Sequence, residues 1–196
     1  MRKMRIVKQV GCAILAGALV IGQIFGSGAS LITAKAAESW VDTQKITNGD
    51  FETGDSSEWA LESGSGAELE VKNGGSNVNS TYYLNIWASD QADVSIKQTV
   101  SSVSAGTYKL GFDVEGDAQD TGLTVSVAGI EESVGVTSGW DVWTTHETEE
   151  FVIEDTTDVE ISFAGNLAKG YWGKLDNVKL YKLTDDADVV EPVEAG

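Results

Sequence analysis

Between about residues 44 and 183 apolar and polar residues alternate in short runs, and clusters of Gly, Asn, Asp and Ser separate them. The run Thr107–Val114 is the clearest. With a period of two, Tyr108, Leu110, Phe112 and Val114 fall on one face and Lys109, Gly111 and Asp113 on the other. Leu123, Val125 and Val127 alternate in the same way, as do Val159, Ile161 and Phe163. Val94, Ile96 and Val100 mark a strand before a turn at Ser104–Gly106. Phe151 with Ile153, and Val178 with Leu180, mark the late ones. Nothing in this region carries a helical period. Many short strands, each with one apolar face, predict an all-β fold of two packed antiparallel sheets, a β-sandwich of the jelly-roll kind.

The two ends follow other patterns. Arg2, Lys3, Arg5 and Lys8 precede an apolar run from Val10 to Phe25, and small residues follow as far as Ala34-Lys35-Ala36. That order is the signature of a secretory signal peptide over residues 1–36, cleaved near Ala36–Ala37, so the protein is expected to be secreted and extracellular. The run is short for a membrane span. Cys12 precedes the apolar stretch instead of ending it, which argues against a lipid anchor. Residues 37–43 read as an N-terminal segment, 44–183 as the sandwich, and 184–196 as an acidic linker or tail with the sole proline, Pro192. Lys72–Ser80 is the longest polar insertion within the sandwich.

Processing changes the charge. Removing residues 1–36 takes away five of the 13 basic residues, leaving eight lysines against 31 acids and a formal net charge of −23. Such a domain is repelled by nucleic acid and anionic membranes, and suits neutral polymers better than polyanions. The mature part has no cysteine and no arginine, which excludes thiol catalysis and arginine phosphate clamps. His146, alone of its type, reads as a solvated strand residue with no nucleophile-elbow motif nearby. Glycoside hydrolysis needs only two carboxylates, but no pair here is set in an apolar pattern that would raise one pKa. The chain is therefore expected not to be an enzyme.

Two motifs bracket the sandwich: Ile46–Gly54 (Asn48, Gly49, Phe51, Glu52) followed by Trp59, and Gly170–Tyr181 with Trp172, Gly173, Leu175 and Asp176. Between them lie Gln98–Val100, Ala105–Tyr108 and Trp140–Trp143. This ordered set resembles the galactose-binding-like jelly-roll carbohydrate-binding modules, and looks closest to those attached to bacterial arabinogalactan endo-β-1,4-galactanases. The resemblance covers roughly residues 44–183. It implies a plant cell-wall polysaccharide as partner, β-1,4-galactan or arabinogalactan. It also implies a C-terminal catalytic barrel beyond an acidic linker in the full-length protein. The chain then reads as a stand-alone module or as the N-terminal fragment of such an enzyme. A cell-surface adhesion or structural sandwich is the third reading.

A sugar-binding site needs an aromatic plate for the C–H face of a pyranose and planar hydrogen-bonding groups for its hydroxyl edge. All six tryptophans lie in the mature part. Trp59 follows the opening motif and reads as structural, and Trp40 precedes the domain and carries little information. Trp87 and Trp172 stand at strand ends beside polar loops and are the leading candidates, with Tyr171 next to Trp172. Trp140 and Trp143 are three apart, so on a regular strand they face opposite ways. Trp140 is taken as the exposed member because Trp143 is in phase with Phe151. Asn85, Gln91 and Asn166 are candidate edge partners.

Related modules carry a structural Ca²⁺ that ties the first strand to the last. The resemblance places its ligands at Glu52 and Asp176, with Asp50 as a weaker candidate and backbone carbonyls completing the oxygen shell. Asn177 stands where many relatives have a second Asp.

Overall fold

The computed structural model describes residues 38–74 and 80–185. The expected signal peptide, part of the Lys72–Ser80 insertion and the tail beyond Asp185 lie outside the described residues. All regular structure in the described part is β: β1 (Glu38–Asp42), β2 (Ala60–Ser63), β3 (Ala67–Asn73), β4 (Tyr82–Ala88), β5 (Ala92–Val103), β6 (Gly106–Gly116), β7 (Leu123–Val127), β8 (Ile130–Ser133), β9 (Gly139–Glu147), β10 (Phe151–Ile153), β11 (Thr157–Leu167) and β12 (Trp172–Asp185).

They form two antiparallel sheets. One has seven strands, running β10-β6-β12-β4-β3, with β1 on β12 and β9 on β6; the other runs β2-β5-β11-β7-β8. The alternating positions read from the sequence line the space between them. Tyr108, Leu110, Phe112 and Val114 from β6 meet Val159, Ile161 and Phe163 from β11, all at least nine-tenths buried. The Phe112 and Phe163 rings cross edge to face at 4.9 Å, joining the sheets at their centre. Fully burying one such side chain contributes about 1.5–3 kcal/mol.

The opening motif is a staple. Asn48 adopts a left-handed backbone, and its side-chain amide donates to the carbonyls of Asp55 and Ser57. The Trp59 indole N–H returns to the Asn48 carbonyl at 2.9 Å, with the ring packed on Phe51. Trp59 is thus structural, as expected. Buried Gln98 fastens this loop to β5 by bonding both the N–H and the carbonyl of Thr47.

The sheet also reaches past both expected limits of the sandwich. Residues 38–42 pair with the end of β12, Trp40 opposite Leu183 and Glu38 opposite Asp185. Trp40 therefore belongs to the seven-stranded sheet.

Candidate functional site

On β4, β12 and β6 the residues that alternate with the core point outward. Register puts Trp172 opposite Trp87 and Lys174 opposite Asn85 on one side of β12, and Lys174 opposite Glu115 on the other. Directly opposed residues share a face, so Trp87, Trp172, Asn85, Lys174 and Glu115 lie together on the outside of the seven-stranded sheet. Trp87 is 40% exposed.

Trp140 joins them from β9 and is the most exposed tryptophan, at 70%. Its ring centroid lies 5.5 Å from that of Trp172. The expectation that Trp140 is the exposed member of its pair agrees with this placement. The expectation that Trp143 faces the other way does not. Thr144 opposes Val114 but Gly139 opposes Gly116, so β9 carries extra residues against β6. Asp141 sits in the bulge at φ 62°. The bulge breaks the two-residue period and brings both rings to one ammonium: Lys174 Nζ is 4.8 Å from the Trp140 centroid and 5.7 Å from that of Trp143.

Lys174 is the pedestal of this platform. Its Nζ lies 4.7 Å from the Tyr83 ring and 3.1 Å from Glu115 Oε2, and its side chain is only 6% exposed. Burying an ion pair costs several kcal/mol per charge unless further contacts satisfy both groups. Here Glu115 Oε1 also accepts the Asp141 N–H at 3.0 Å, and three aromatic rings surround the ammonium. The pair therefore fixes the bulge that carries Trp140. Tyr83 and Trp143 pack edge to face at 6.3 Å and complete the floor.

The other expected site residues lie elsewhere. Tyr171 is a core residue, 5% exposed, with its phenol pushed up from its usual pKa by burial and, secondarily, by Asp117. The chain alternates here, so Trp172 outward means Tyr171 inward. Gly173 makes room for it, since a Cβ there would collide with the Tyr171 hydroxyl. Gln91 donates to Asn166 Oδ1, and Asn166 donates to Asp93 Oδ1 at 2.7 Å. These amides are tied to β5 and β11 of the opposite sheet. Of the three candidate edge partners only Asn85 stands beside the tryptophans.

The acids expected to hold calcium, Glu52, Asp176 and Asp50, each make local hydrogen bonds. Glu52 Oε1 accepts from the Ser80 hydroxyl and the N–H groups of Thr81 and Tyr82. These bonds hold its carboxyl below the ordinary range, the Tyr82 N–H contributing most. Asp176 is fully buried and accepts the Asn177 N–H at 2.7 Å, while Asp50 is exposed and accepts the Glu52 N–H. Each of these carboxylates is engaged by hydrogen-bond donors. No group of three or more His, Cys, Asp or Glu among the described residues is placed to hold a metal ion.

His146 also departs from expectation. Its ring stacks on Phe112 at 5.6 Å, with Nε2 buried and without a hydrogen-bond partner, and burial pushes its pKa down.

No protein-family model and no curated protein matches the chain. Solved structures do. TmCBM61, determined in complex with β-1,4-galactotriose, superposes with a TM-score of 0.57 at 27% identity, over 70% of this chain and 97% of that one. The fold is that of the β-sandwich carbohydrate-binding modules. A family 16 carbohydrate-binding module superposes with a TM-score of 0.53 at 19% identity, over 70% of this chain and 99% of that one. The enzymatically active domain of bacteriophage CBA120 tailspike protein 4 matches at 0.56 and 18% identity, over 71% of this chain but 21% of its own length. At such identities these last two speak for the fold alone.

Proposed function

We propose that this chain is a secreted, non-catalytic module that binds β-1,4-galactan or a related plant cell-wall polysaccharide and directs an appended glycoside hydrolase to it. The observation that carries this reading is the gathering of Trp87, Trp172 and Trp140 on one open sheet face. The rings form a plate for the C–H face of pyranoses, with Asn85 beside it for hydroxyls. Galactan is favoured among polysaccharides by the likeness to a module determined with β-1,4-galactotriose. The net charge of the mature chain favours a neutral polymer over an anionic one.

Affinity electrophoresis tests it. The protein is expected to be retarded in gels containing β-1,4-galactan and not in xylan or cellulose gels. No retardation in any of the three contradicts the proposal. Sustained release of reducing sugar from galactan by the purified chain contradicts its non-catalytic part.

A further inference from the structure

The outward face of the seven-stranded sheet repeats the platform's construction at its other end. Lys109 projects from β6 on the same face as Glu115, six residues earlier, and its side chain is only 14% exposed. Its Nζ pairs with Glu147 Oε2 at 2.6 Å and lies 4.7 Å from the Trp40 ring and 5.9 Å from the Tyr181 ring. The parts match those around Lys174: a lysine sunk into the sheet surface, a glutamate from β6 or β9, a tryptophan and a tyrosine. Register confirms the shared face, with Lys109 opposite Tyr181, and Tyr181 opposite Asp42, two residues from Trp40.

Tyr181 lies flat on the sheet. The position beneath its ring is Gly111, where a Cβ would come within 2.7 Å of Tyr181 Cε2. Any larger residue would lift the ring. Between the two aromatic groups the face is polar: Asp113 accepts from the Thr145 hydroxyl at 2.6 Å and from the Asn177 side-chain amide at 2.9 Å. Lys174 and Tyr181 are seven strand positions apart on β12, roughly 20 Å.

We infer that Trp40 and Tyr181 form a second aromatic subsite, which takes a further stretch of the same neutral glycan chain that the Trp87–Trp172–Trp140 platform holds. Two aromatic groups joined by a polar strip suit an extended polysaccharide better than a small sugar. Asp42, Glu147 and Asp113 around Tyr181 make the subsite acidic, so a polyanionic chain is disfavoured there. The inference rests on the platform being a galactan site, and its test separates the two.

Calorimetric titration of the secreted protein with β-1,4-galactotriose and with long β-1,4-galactan is the experiment. Trp40→Ala and Tyr181→Ala are expected to weaken galactan binding about tenfold each, a loss of ~1.4 kcal/mol, and to leave galactotriose affinity unchanged. Unchanged galactotriose affinity also shows that the variants are folded. Galactan affinity equal to wild type in both variants overturns the second subsite and leaves the platform standing. A wild-type protein that binds neither probe overturns both. If Trp40→Ala does not fold, the Trp40 indole N–H resonance of the wild type decides. It is expected to shift with a long galacto-oligosaccharide and not with galactotriose, and no shift with either overturns the subsite.

Discussion

The two sheets present the same kind of surface to each other and opposite kinds to water. Outside the five-stranded sheet stand Lys97 and Glu160, 4.0 Å apart and both exposed, and the Gln91–Asn166–Asp93 chain of hydrogen bonds. These are short or solvated groups that water satisfies readily, and such pairs add little stability. Outside the seven-stranded sheet stand Trp87, Trp140 and Trp172 over the buried Lys174–Glu115 pair. Exposed indoles and a desolvated ion pair are not the cheapest way to finish a sheet. The inner faces build the sandwich and are common to many functions; the outer faces tell them apart.

The largest expected contrast is in stability. Lys174→Met leaves Glu115 buried without its cation and should cost about 3–5 kcal/mol in urea unfolding, whereas Lys97→Met should stay within about 0.5 kcal/mol of wild type. Adding Glu115→Leu to Lys174→Met should recover most of the loss, because the unpaired charge is gone. Equal effects at Lys174 and Lys97 would erase the distinction between the faces. Next comes binding. Trp140→Ala should lower galactan affinity about 30-fold, equivalent to ~2 kcal/mol for an aromatic anchor, with little change in melting midpoint. Substitution of Asn166 on the opposite face should leave affinity unaltered.

A smaller effect comes from His146, on the core side of the seven-stranded sheet. Its pKa is depressed by burial, so the folded state favours the neutral ring. Stability should be fully present above the unfolded value near 6.5 and fall as pH drops through the lower folded value. His146→Gln should flatten that part of the stability profile; an unchanged slope would assign it to other groups. The smallest expected effect is that of chelation. With Glu52 and Asp176 engaged by hydrogen-bond donors, melting with and without EDTA should give the same midpoint. A lower midpoint in EDTA would show a bound cation, with Glu52 and Asp176 the first ligands to test.

The strands were legible because their inward residues keep a strict period of two, as at Tyr108–Val114 and Val159–Phe163. The same period, carried back from Leu175, places Tyr171 inward, and the loop-like neighbourhood of Gly170 obscured it. Trp87 and Trp172 were legible as strand-end aromatics, but their pairing across β4 and β12 needs register, which a single strand's pattern does not contain. Trp143 was hidden by the bulge at Asp141: aspartate tolerates a left-handed backbone, but its residue type alone does not announce a bulge in mid-strand. Lys174 and Glu115 look like ordinary solvated charges in the sequence. Only the arrival of Tyr83, Trp140 and Trp143 around them makes them buried.

The six tryptophans allow the most direct test of the central claim, since each has a separate indole N–H resonance. In a titration of the ¹⁵N-tryptophan-labelled protein with β-1,4-galactotriose, the signals of Trp87, Trp140 and Trp172 should shift together, and that of core residue Trp59 should not. Shifts that spare all three platform tryptophans while the sugar binds would contradict the account.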